Sequence, residues 1–132
     1  MLDQVLQAVR TLAIGYAAPY TTIDNGSMPT ENGLAIYPGP GYSTGRYLDR
    51  GADYQVPFVL NGKHSDLGVL LSAMSNIHTK LSMLSAYPKT DGWQITGIES
   101  ATPPNYLSRE DSNTRQWLYG SILTVKFHVK GV

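Results

Sequence analysis

Three histidines, His64, His78 and His128, are the side chains best suited to move a proton or hold a metal near neutral pH. A zinc site takes three or four ligands at compatible spacing. His64 and Asp66 flank the start of an amphipathic segment, His78 falls on or beside its apolar stripe, and His128 lies on the polar face of the last strand-like segment. These positions do not form a ligand set, and there is no cysteine to complete one. His78 is expected as a core-edge histidine making one hydrogen bond. Glu110 and Asp111 form a carboxylate pair flanked by Arg109 and Arg115. Paired general acids and bases need fixed positions on a rigid scaffold. Adjacent in a polar stretch, these two predict instead a solvated loop that orders on a partner. Gly39, Gly41 and Gly45 fall between two strand-like segments, whereas a phosphate-cradling loop leads from a strand into a helix N-terminus. No nucleophile-elbow pattern occurs, although a triad drawn from distant positions stays open. The sequence therefore assigns no catalytic residue, no metal ligand and no cofactor.

Aromatic residues are the second feature. Nine tyrosines and two tryptophans stand beside two phenylalanines. Tyr and Trp suit surfaces that are half wet and half buried, as interfaces are. Tyr37, Tyr42 and Tyr47 flank the Gly-Pro stretch at 38–41, and Tyr106 sits in a second polar stretch. Single-stranded nucleic acid also stacks on aromatic rings, but that mode needs interleaved basic residues, and Arg46 and Arg50 are few.

The element that must position these groups is an α-helix over 65–84. Leu67, Leu70, Leu71, Met74, Ile77, His78, Leu81 and Leu84 recur at spacings of three and four and line one face. Burying seven large apolar side chains is worth roughly 10–20 kcal/mol gross. Ser65 is the expected N-cap. A first helix is expected over 2–14, with Val5, Leu6, Val9, Leu12 and Ala13 on its apolar face. Residues 34–37 form a short strand, and 47–60 a longer one in which Tyr54, Val56, Phe58 and Leu60 alternate with Gln55, Pro57, Val59 and Asn61. Pro57 places that strand at an edge or a bulge, and Asn61-Gly62 is expected to turn the chain into the long helix. Residues 93–100 form a strand with Trp93, Ile95, Gly97 and Glu99 opposed to Gln94, Thr96, Ile98 and Ser100. Residues 102–115, with two prolines, read as a polar loop. Residues 116–130 form the last and longest strand, with Trp117, Tyr119, Ser121, Leu123, Val125, Phe127 and Val129 on one face. The order α-β-β-α-β-β predicts an α+β fold: a single mostly antiparallel or mixed sheet of four to five strands with two helices packed on one face.

Composition bounds the rest. At 132 residues the chain is expected to be one domain that folds without a disulfide or a metal. Ten basic and ten acidic residues cancel, which argues against a dedicated nucleic-acid or membrane-surface binder. No apolar run approaches the ~18 residues of a membrane span, and MLDQVLQAVR does not read as a secretory signal. Charged residues are 15%, well under the usual quarter. Low charge with many Tyr, Gly and Ser fits a surface partly covered by a partner.

Several stretches together carry a resemblance: ENGLAIYPGPGYSTGRYLDRGADYQVPFVLNGKHSD, the helix LGVLLSAMSNIHTKLS, GWQITGIESATPPNYLSRE and the final RQWLYGSILTVKFHVKG. Over nearly the whole chain this order resembles minor capsid proteins of tailed bacteriophages that look like tail terminators, also termed tail-completion proteins. The resemblance implies a structural virion protein, not an enzyme, assembled in the host bacterial cytoplasm. It implies a homo-oligomer, a hexameric ring, that caps the tail tube, stops its polymerisation and offers a docking face to the head–tail connector, with DNA only passing through its lumen. The implied partners are other copies, the major tail tube protein and the neck protein. No active site is carried over. Loop position and residue type place the expected interface at Tyr42, Arg46, Arg50, Tyr106, Arg109, Glu110, Asp111 and Arg115. A head-closure or other neck role, and a small ligand-binding domain or enzyme, are the alternatives. A deep polar pocket with convergent titratable groups would favour the last.

Overall fold

In a computed structural model, the structure describes residues 2–26, 32–39, 43–46, 52–109 and 115–130. The chain runs α1 (Leu2–Ile14), β1 (Asp24–Asn25), β2 (Gly33–Pro38), β3 (Ser43–Arg46), β4 (Ala52–His64), α2 (Leu67–Ser82), β5 (Trp93–Arg109) and β6 (Trp117–Val129). The strands form one mixed sheet in the order β1-β2-β4-β6-β5, with β3 also paired to β4. All pairs are antiparallel except β1 with β2. The α+β fold with both helices on one face of a single sheet is therefore observed, with short strands added at 24–25 and 43–46.

Strand register fixes what the helices cover. On β4, Val56, Phe58 and Leu60 share a face and lie opposite Val125, Leu123 and Ser121 of β6. Val56, Phe58, Leu60, Leu123 and Val125 join Leu34, Ile36, Ile95 and Ile98 in one buried cluster with Val5, Val9 and Ala13 of α1 and Leu70, Met74, Ile77 and Leu81 of α2. Of the face expected from periodicity, Leu70, Met74, Ile77, His78 and Leu81 are buried, Leu67, Leu71 and Leu84 are only partly so, and Ala73 is buried as well. Gly62 leaves room for side chains of α2 and β2 against the sheet. A Cβ there would lie 2.7 Å from Leu70 Cδ1, 2.8 Å from Leu34 Cδ2 and 2.9 Å from Met74 Sδ. Elsewhere, Arg10 Nε donates to the Ile23 carbonyl and ties α1 to the segment entering β1. Trp93 Nε1 donates to Gln4 Oε1 at 2.8 Å and pins the start of β5 to α1.

Several local expectations are corrected. Asn61-Gly62 does not turn the chain, because both residues pair with β2 and with β6 and the strand runs on to His64. The strand expected from 47 is described only from Ala52. Asp66, not Ser65, caps α2. Its carboxylate accepts from the amides of Gly68 at 2.9 Å and Val69 at 3.3 Å, and charge favours it at this end of the helix dipole. Pro57 lies in a strand with neighbours on both sides, yet it breaks no ladder. Partners along that edge of β4 cover 58–63 from β2 and 52–55 from β3, and Pro57 falls in the notch between them. Its carbonyl still accepts from the Gly39 amide.

Two further differences concern β5. Thr102–Arg109 is strand, not loop, paired to β6 as far as Arg109↔Trp117. Register shifts on either side of Thr102 accommodate Pro103 and Pro104 on an edge strand. An earlier shift between Ile95 and Gly97 reverses the expected alternation. Ile98 turns into the core, and Glu99 faces the opposite side, where it meets Lys126 Nζ at 3.0 Å.

Candidate assembly surface

β5 and β6 continue beyond the part of the sheet that α2 covers, and pairing with β6 holds the outer half of β5 extended. Register then brings four side chains together. Tyr106 lies opposite Tyr119, and Arg109 opposite Trp117, on the face that bears the helices lower down. The Tyr106 ring stands edge-on to Trp117, with centroids 6.4 Å apart at 70°, and to Tyr119, at 5.8 Å and 80°. These are the arrangements ring quadrupoles favour. The Arg109 guanidinium carbon sits 4.4 Å from the centroid of the Trp117 ring, a cation–π contact. Leu107 occupies the register shift between Tyr106 and Ser108 and points the other way, over Gly120. A Cβ on Gly120 would come within 2.9 Å of Leu107 Cδ1 and 2.8 Å of Asn61 Oδ1. Asn105 Nδ2 donates to the Gly120 carbonyl at 2.9 Å and stiffens the same stretch. Among the described residues, the large apolar side chains left exposed are Met83, Tyr106 (55%) and Leu107 (47%).

Of the eight positions expected at an interface, Tyr106 and Arg109 are brought together on this arm. Arg115 is exposed just before β6, with φ +46°, a left-handed conformation uncommon for a residue with a side chain. Tyr42, Arg50, Glu110 and Asp111 lie outside the described residues, and Arg46 is described only as backbone in β3. Leu107, Trp117 and Tyr119 complete the cluster and were not among the candidates. The signal for the last two was present, since both lie on one face of the last strand. Their partner Tyr106 falls in a stretch whose sequence predicts a loop, and a loop has no register.

The opposite edge of the sheet carries a cleft of about 450 Å³, lined by Tyr20, Thr22, Asp24, Asn32, Leu34 and His64 among others. Its titratable groups mostly hold backbone in place. Tyr20 OH donates to the Lys63 carbonyl at 2.7 Å, and burial pushes its pKa up to about 12. His64 Nδ1 accepts from the Asp66 amide at 2.9 Å. Asn32 Oδ1 accepts from the Ser65 amide at 3.1 Å, and the Asn32 amide donates to Gln116 Oε1 at 2.8 Å. Asp24 is exposed, with no ion-pair partner among the described residues.

The histidines lie apart. His78 is buried between α2 and the sheet, with Nε2 2.6 Å from Ser100 Oγ and Nδ1 unpaired among the described residues. Burial pushes its pKa below the usual histidine value. The expected single hydrogen bond is the one observed. His128 pairs with Asp53 at 2.9 Å across β4 and β6 on the helix-free face. No group of three or more metal-ligating side chains occurs among the described residues, and none of their helices is long and apolar enough to cross a membrane.

No family model and no curated protein matches this sequence. Among solved structures, a chain of the structure described as "Virion of native gene transfer agent (GTA) particle" shares the fold. The TM-score is 0.65 at 12% sequence identity, over 96% of this chain and 95% of that one.

Proposed function

We propose that this chain is a structural virion protein of a tailed-phage-type particle, and that it acts as the tail terminator. In this reading, copies close into a ring, a hexamer, on the finished tail tube. The ring stops tube growth and presents its other face to the neck protein, while DNA passes through the lumen during ejection. The chain is assembled in the host bacterial cytoplasm and resides at the tail–neck junction of the virion. The observation that carries the reading is the end-to-end fold likeness to a chain of a virion particle, in which neither chain has a substantial unmatched part. Two features support it. The aromatic arm keeps large apolar area in water, which suits a surface that another protein covers. The chain is also formally neutral, which fits a lumen that must not hold DNA.

Removing the gene from the phage tests the role. Electron microscopy is expected to show filled heads beside unattached tails of irregular, over-extended length. Tails of normal length would overturn the terminator role. Normal tails with heads that leak DNA would instead indicate head closure.

A further inference from the structure

We propose that one internal water molecule is bound between α2 and the sheet, where it bridges His78 Nδ1 and Ser121 Oγ. The water extends the His78–Ser100 contact into a polar thread, Ser100–His78–water–Ser121. That thread runs from an exposed residue of β5 to the centre of the sheet and fixes where α2 sits on it.

Two buried atoms point to the site. Among the described residues, the buried side-chain nitrogen and oxygen atoms without a hydrogen-bond partner are His78 Nδ1 and Ser121 Oγ. His78 is 6% exposed and Ser121 1%. A buried polar group left unpaired forfeits its hydration with nothing in return, and internal waters are the common remedy. Register places both atoms beneath the same turn of α2. At one end of that turn, Met74 Sδ lies 2.9 Å from where a Cβ on Gly62 would be, and Gly62 pairs with Tyr119. At the other end, His78 Nε2 lies 2.6 Å from Ser100 Oγ, and Ser100 pairs with Leu123. Ser121 stands on β6 midway between Tyr119 and Leu123, on the same face. It therefore lies between the two points where Met74 and His78 reach the sheet. With Nε2 held by Ser100, Nδ1 is the ring nitrogen nearer the helix, shut off from solvent. Leu60, Ile77 and Leu123 are apolar and offer neither atom a side-chain partner. The two atoms do not bond each other directly, which leaves one water as the shortest bridge. Water can donate to one and accept from the other, whichever tautomer the neutral imidazole holds. Apolar contacts are non-directional, so this thread is what distinguishes one turn of α2 from the next above the sheet.

The purified natural chain tests this. A high-resolution crystal structure is expected to show one ordered water within hydrogen-bond distance of both atoms. In solution, magnetic relaxation dispersion of water is expected to count one long-lived water fewer in Ser121→Val, whose methyl groups fill the site. Ser100→Ala, at the exposed end of the thread, should keep that water. The NMR shifts of the His78 ring nitrogens should divide in the same way, with Nδ1 responding to Ser121→Val and Nε2 to Ser100→Ala. A direct His78–Ser121 hydrogen bond or a dry site in the natural chain would overturn the proposal. So would folded Ser121→Val with an unchanged dispersion and an unmoved Nδ1 shift. Should Ser121→Val fail to fold, the structure of the natural chain decides alone.

Discussion

The two halves of β5 share one partner strand and differ in almost everything else. From Trp93 to Ser100 the strand lies under α2. Trp93, Ile95 and Ile98 are buried there, and Ser100 meets His78. Beyond residue 100 every position is exposed or partly so, yet pairing to β6 continues to Arg109. The inner half is held by burial, and the outer half by ladder hydrogen bonds and cross-strand aromatic contacts. Backbone pairing is therefore enough to place side chains accurately, but it leaves them in water. The inner half serves the fold, and the outer half is available to a partner.

Substitutions can break this contrast. The largest effect is expected outside β5, in the layer that buries its inner half. Leu81→Asp puts a carboxylate at a fully buried α2 position and costs about 4 kcal/mol or more, enough to lose the cooperative transition in thermal circular dichroism. Within β5, Ile98→Ala is expected to cost ~2–5 kcal/mol, and Leu107→Ala no more than about 1 kcal/mol, in urea titrations. Equal losses at the two sites would show that the outer half is as much a part of the core as the inner half.

A smaller, pH-dependent effect sharpens the same boundary. Burial lowers the pKa of His78, so the folded chain resists a proton that the unfolded chain binds from about 6.5 downward. Stability should therefore fall as pH drops below the ordinary histidine value and level off below the folded one. Urea midpoints of the natural chain and of His78→Leu, compared at pH 7.5 and 5.5, check this. The variant should lose the part of the pH dependence that belongs to His78.

Much of the fold was legible because burial writes periodicity into sequence. The faces of α1, α2 and β6 follow from the spacing of Val9, Ile77 and Leu123 and their neighbours, which lie in the observed core. What failed were positions whose conformation is decided by their neighbours. Asn61-Gly62 has the composition of a turn, but Gly62 is needed where α2 touches β4. Pro57 is tolerated because two short strands leave a notch on one edge, and no local signal carries that information. The interface candidates rested on residue type and on an assumed loop. Tyr106 and Arg109 do meet, but through a register that a loop assignment could not supply. The cleft at the far edge combines residues from 19 to 64, so spacing along the chain gave no sign of it.

The irregular outer edge of β5 has a consequence for life at high concentration. A long, straight, unpaired strand is a template on which any extended chain can grow. Here four register shifts in the pairing with β6 make β5 irregular, and the adjacent Pro103 and Pro104 have no amide protons to offer. Strand-by-strand polymerisation is discouraged while the side chains of the tip stay presented. The edge therefore acts as a guard against fibres.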